Sequence, residues 1–121
     1  MPIFTMSGPF RLTDDMLARS LPKHRTAGVF ALGRFNRRGA LEPVQYVGRA
    51  DVDLAADIRR YIGTYEGFLF ERASSARDAF LMECELFHRF RLIDNHQHPV
   101  PPPLSGVRCP ICAQGAVADD S

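Results

Sequence analysis

Lysine is nearly missing from this 121-residue chain. Of its 15 basic side chains only Lys23 is a lysine, and the rest are arginines. Net charge is nearly missing too, at +1. A balance that small does not demand a polyanionic partner, so a solvated surface accounts for most of the arginines. Cysteine is scarce and odd in number. Cys84, Cys109 and Cys112 argue against a disulfide scaffold and leave a metal site, a redox pair or buried thiols. No apolar run reaches the ~18 residues a spanning helix needs. Met1 to Phe10 has neither the basic start nor the apolar stretch of a secretory signal, so a cytoplasmic location is expected, with no membrane partner.

What remains has ordinary globular composition, 45% hydrophobic and 24% charged. The length suits one domain and excludes separate substrate and cofactor lobes. The charge is unevenly spread. Met1 to Arg49 carries eight basic and three acidic residues, and Ala50 to Ser121 carries seven and eleven. Arginine's planar fork suits phosphate and carboxylate.

Residues 1–26 read as a helical lead-in. Thr13 is its cap, Asp14 and Asp15 favour its first turn, and Pro22 ends it. Ala27 to Phe35 and Val44 to Gly48 read as two strands of an antiparallel hairpin around the turn Asn36-Arg37-Arg38-Gly39. Asp51 or Asp53 starts a helix through Leu54, Ile58 and Tyr61, which share one helical face, and Gly63 stops it. Gly67 to Ala73 is a third strand. Ser74 or Ser75, with Asp78, caps a helix that carries Phe80, Leu81, Cys84, Phe87 and His88 and ends near Arg91. Residues 27–91 form the domain proper, and 92–121 a proline-rich tail packed on it. The fold class expected is α+β, a small three-stranded, mainly antiparallel sheet flanked by helices.

Three segments together resemble the GIY-YIG nuclease superfamily: Gly28-Val29-Phe30, Tyr46-Val47-Gly48-Arg49, and Ala79 through Glu83 on the third helix. The resemblance covers about Ala27 to Phe90. The tail, with His-Pro and Cys-Pro-x-Cys, is similar to that of small standalone bacterial members. The resemblance implies a metal-dependent DNA endonuclease in which Tyr46 acts on the attacking water, as general base or orienting group. It implies that Glu83 holds Mg²⁺ or Mn²⁺, that Arg49 is the cation after the second motif, and that Tyr61 follows one turn beyond the family's helix arginine. A hard cation suits one carboxylate plus phosphate oxygens and water.

Two positions depart from the pattern. Phe30 keeps a ring where the family has a tyrosine, and Asp57 stands where the family has its arginine. Arg60, three residues on, is the candidate substitute cation. Taken singly, each residue also has a plain structural account: Tyr46 as a packed aromatic, Glu83 and Arg49 as solvated charges.

Cys84 and His88, at i and i+4, share a helix face, and Cys109-x-x-Cys112 has the spacing of a zinc knuckle. These four are the expected ligands of a structural Zn²⁺, with His98 a rival fourth and His96 a weaker one. The plain account makes Cys84 a small core residue and His88 a hydrogen-bonded histidine. Two functions follow. One is a DNA endonuclease, weakened by Phe30 and Asp57. The other is an inactive GIY-YIG module that binds nucleic acid or a protein. No recognition helix is present, so strong sequence specificity is not expected.

Overall fold

The computed structural model describes residues 6–90 and 98–113, and of 112 and 113 the backbone only. In chain order the elements are β1 (Ser7–Arg11), α1 (Asp14–Ser20), β2 (Ala27–Phe35), β3 (Leu41–Ala50), α2 (Leu54–Arg59), β4 (Gly67–Ala73), α3 (Ala76–Arg89) and the single turn α4 (Pro110–Ala113). The α+β class holds, with one sheet in the order β1-β4-β2-β3, every neighbouring pair antiparallel.

The sheet has four strands and not the expected three. The extra strand is β1, which pairs with β4. Its five residues include Gly8 and Pro9, a turn-like composition that hides a strand. Proline is tolerated there because β1 lies at the edge of the sheet. Burial of Phe10 holds it in place, with ring centroids 5.5 Å from Phe68 and 6.1 Å from Phe70.

β2 lies inside the sheet and its first seven residues are buried, so it reads as a continuous apolar run. Its alternate side chains serve two cores. Phe30 and Leu32 pack with Leu17 of α1, Leu54 and Ile58 of α2, and Phe68. Val29 and Ala31 pack on the other face with Val44, Val47 and Leu86 of α3. Gly28 is required by close approach: a Cβ there would lie 2.5 Å from the Glu71 carbonyl oxygen and 2.9 Å from a Leu54 methyl.

Side-chain caps start the helices. The Met16, Ala56 and Asp78 N–H groups donate to Thr13 Oγ1, Asp53 Oδ1 and Ser75 Oγ at 3.1, 3.2 and 3.1 Å. α2 ends two residues before Tyr61, tightening into turns in which Tyr61 N–H donates to the Ile58 carbonyl at 3.0 Å. Gly63, at φ +92°, reverses the chain toward β4. The tail segment folds back on α3: Cys109 is buried with Phe80 and Cys84, against Leu81, Val107 and Ile111.

Candidate functional site

β3 is an edge strand, and the register sets what its two faces carry. Tyr46 lies opposite Leu32 and packs on the α1–α2 side. Arg49 lies opposite Val29 and so shares the α3 side. Between them Gly48 has no side chain. A Cβ there would stand 2.6 Å from the Phe30 ring and 3.1 Å from the Tyr46 ring. Glycine therefore lets both rings close over the strand, and a cleft of about 540 Å³ wraps the strand edge. Tyr46, Arg49, Tyr61, Glu83 and Arg60 all line it, and so do the two departing residues, Phe30 and Asp57.

Three tyrosines form one group. Tyr61 Oη donates to Tyr46 Oη at 3.2 Å, and the two rings are 5.2 Å apart. Tyr65 stacks on Tyr46 at 6.3 Å. Burial, then the Tyr61 hydroxyl and the charge on Glu83, hold the Tyr46 phenol far above its ordinary value. Phe30 closes the group from below, 6.0 Å from Tyr61.

Arg49 is the hub of the charged side. Its Nε donates to Asp51 Oδ1 at 2.7 Å and its Nη1 to Glu83 Oε1 at 3.0 Å. Its guanidinium also lies 5.4 Å from the centre of the Phe80 ring. Burial opposes the arginine's charge, but the two carboxylates outweigh it and its pKa is raised. Among the described residues, Glu83 is the one charged side chain that is buried. Burial raises its carboxyl above the ordinary range, and Arg49 pulls against that rise. Asp57 is also raised, by burial first, with Arg60 opposing and Asp53 and Asp51 adding. The cleft thus sets Asp51, Asp53, Asp57 and Glu83 against Arg49 and Arg60. It is acidic on balance, which suits a cation and repels a bare phosphate.

Cys84 follows Glu83 on α3 but turns into the tail. The ligand atoms of Cys84, His98 and Cys109 lie within 4.8 Å of one another, a group that could hold a metal ion. His98 thus belongs to the triple where His88 was expected. His88 sits beside it, its Nε2 3.2 Å from His98 Nε2 and 3.5 Å from Cys109 Sγ. The reason lies in the tail path: Pro99 follows His98, and its carbonyl fixes the ring through Nδ1 at 2.8 Å. A carbonyl only accepts, so Nδ1 carries the proton and Nε2 of the neutral ring offers a lone pair. His96 and the Cys112 side chain lie outside the described residues.

Asp51, Val52 and Val100 line the cleft and escaped the sequence reading, as did Tyr65, which stacks on Tyr46 beside it. Asp51 was read only as a helix start. Tyr65 follows Tyr61 by four, a spacing that would have signalled it had the helix continued. Val100 comes from the tail and sits on the cleft rim, 65% exposed. Among the described residues no helix is long and apolar enough to cross a membrane. Comparison with protein families, curated proteins and solved structures gave no match.

Proposed function

We propose that the cleft hydrolyses phosphodiester bonds of DNA with a hard divalent cation, Mg²⁺ or Mn²⁺, as the GIY-YIG resemblance implies. The observation that carries this is convergence. Tyr46 and Arg49 from β3, Tyr61 from beyond α2 and Glu83 from α3 are far apart in sequence and line one cleft. Glu83 fits a cation: it is a desolvated carboxylate at a cleft wall, and Arg49 is already drawn to it. When bound, the cation would neutralise phosphate charge and acidify its water.

The protein's part is to aim and to neutralise. Tyr46 keeps its proton at neutral pH because its phenol is held so high. It therefore orients the attacking water or a phosphate oxygen by hydrogen bonding and is not a standing phenolate. Tyr61 fixes it from behind. When Glu83 turns to a cation, Arg49 keeps Asp51 and frees an N–H for the oxygens that gain charge in the transition state. Arg60 is the substitute cation on the far wall, and Asp57 weakens it.

Phe30 and Asp57, the two departures from the family's pattern in the cleft, support the second reading, a GIY-YIG module that binds nucleic acid or a protein without cutting. One assay separates the two: cleavage of branched, single-stranded and supercoiled DNA with Mg²⁺ or Mn²⁺. Activity that falls at least ~100-fold in Glu83→Gln supports hydrolysis. No cut under any condition leaves the binding module.

We also propose that the ion of the Cys84, His98 and Cys109 group is a structural Zn²⁺. Two thiols and an imidazole suit zinc better than a hard cation. With Zn–N near ~2.0 Å and Zn–S near ~2.3 Å, tetrahedral edges come to about 3.3 Å for N···N and about 3.5 Å for N···S. The His88–His98 and Cys109–His88 spacings of 3.2 and 3.5 Å match them. The fourth ligand is His88 or Cys112. His88→Ala and Cys112→Ser separate these by metal content.

A further inference from the structure

An acidic cleft cannot by itself retain a polyanion, so its substrate needs a hold elsewhere. The sheet end beside the β2–β3 turn offers one. Arg11, Arg34, Arg37 and Arg38 are all exposed there. None of the four forms an ion pair among the described residues, whereas Arg19, Arg25, Arg49, Arg59, Arg77 and Arg89 each do. The acids nearby are engaged. Glu66 Oε1 accepts from Phe35 N–H at 2.9 Å, and Glu42 Oε1 from the Asn36 amide at 3.0 Å. Asp14 and Asp15 face Arg59 and Arg19 at 3.2 and 3.1 Å.

This end is grooved and carries rings. One groove of about 810 Å³ is lined by Phe10, Phe35, Arg11 and Arg37. A second of about 260 Å³ is lined by Arg34, Gln45 and Tyr65, and Glu66 borders both. Tyr65 is the link, because its ring also stacks on Tyr46 of the cleft. A ring path therefore runs from Tyr61 through Tyr46 and Tyr65 to the arginines.

We infer that this arginine and aromatic track binds the flank of a single-stranded DNA whose scissile phosphate lies in the cleft. The inference rests on the phosphodiester reading for the second half of that statement only. Phosphates of the flank meet Arg34, Arg37, Arg38 and Arg11, and bases stack on Tyr65 and Phe35. Arginine over phosphate with aromatic rings under bases is the chemistry of single-strand binding without sequence readout. Duplex DNA is the poorer fit, because stacked bases do not present their faces to Tyr65.

Fluorescence anisotropy of a short labelled single-stranded oligonucleotide across a salt series tests this. Arg34→Gln/Arg37→Gln/Arg38→Gln should weaken binding at least ~10-fold and flatten the slope of log K against log salt by about 2, at about 0.7 per lost phosphate contact. Tyr65→Leu should weaken binding about 10-fold with the slope unchanged, since stacking releases no counterions. The arginines are exposed, so thermal unfolding of the triple variant should match the parent. The oligonucleotide is titrated without Mg²⁺ or Mn²⁺, so the chemistry of the cleft does not enter the binding reading. Loss of cleavage with binding retained therefore bears on the chemistry of the cleft and not on the track. Unchanged affinity and slope in the triple variant would overturn the inference. So would tighter binding of poly-glutamate than of the oligonucleotide, which would assign the surface to an acidic protein.

Discussion

Arg49→Met should destabilise this protein far more than Glu83→Gln, although the two residues form one ion pair. The arginine bonds two carboxylates, and the glutamate has one cation. Methionine keeps an apolar stem but removes the guanidinium over Phe80 and leaves Glu83 and Asp51 without a cation between them. Asp51 is 35% exposed on its side chain and rehydrates, while Glu83 at 12% does not. Stranding one buried partner costs about 3–5 kcal/mol, and the lower end applies because only one carboxylate is stranded. About 3 kcal/mol is a large fraction of the ~5–15 kcal/mol that holds a domain together. At about 4 °C per kcal/mol for a chain this size, Tm should fall by about 12 °C.

Glu83→Gln leaves Arg49 with Asp51 and removes a carboxylate that burial already pushes toward its neutral form. Its effect should stay within about 1 kcal/mol. The pH dependence has a definite sign. A carboxyl whose folded pKa lies above its unfolded value binds more protons when folded, so stability falls as pH rises through that interval. Loss of Arg49 widens the interval by lifting the folded value. The Arg49→Met deficit should therefore shrink between pH 7 and pH 5, as measured by urea unfolding. Equal losses in both variants, or a deficit flat with pH, would refute the hub description of Arg49.

Asp57→Arg changes the local charge by two at the cleft wall and removes a carboxylate that burial, and after it Asp53 and Asp51, already disfavour. It should raise affinity for DNA and steepen the salt slope by about 1, and an unchanged slope would place Asp57 away from the phosphate. Gly48→Ala puts a methyl into the Phe30 and Tyr46 rings. Overpacking of this kind costs about 1–3 kcal/mol, and cleavage, assayed well below Tm, should fall further than Tm suggests because Tyr46 moves. Unaltered cleavage would count against Tyr46. Chelation of the tail ion should lower stability by about 4 kcal/mol where free zinc had been ~1,000 times its dissociation constant. A Tm indifferent to chelator in a sample shown to contain metal would reject a structural role.

The elements most legible in the sequence were those with local signals. β2 and β4 begin and end where apolar runs meet turn residues, and Thr13, Asp53 and Ser75 cap helices as their side chains suggest. β1 was not legible, because what holds Ser7 to Arg11 is Phe10 against rings almost sixty residues on. β3 is longer than expected for a related reason: Glu42 and Pro43 lack strand character, yet Leu41 pairs with Phe35. In the cleft, residue types at set spacing could name Tyr46, Arg49, Tyr61 and Glu83. They could not show that Arg49 spends its charge on Asp51, two residues away, because that depends on a side chain turning back along its own strand. His98 was harder than His88, since i, i+4 on a helix is fixed by geometry and the return of a proline-rich segment is not.

The two outermost strands share one further property. β1 contains Pro9 and β3 contains Pro43, each lacking the N–H that a newcomer strand would need. A sheet whose rims are both interrupted resists stacking edge to edge with other copies of itself. That matters most for a chain whose neighbouring β2 is an almost unbroken apolar run, the kind of segment that seeds fibrils when a margin lies open beside it. The prolines thus act as selvedges. They interrupt each rim near one end and leave the rest of β3, from Val44 to Ala50, available to a ligand that wraps it by side-chain contact.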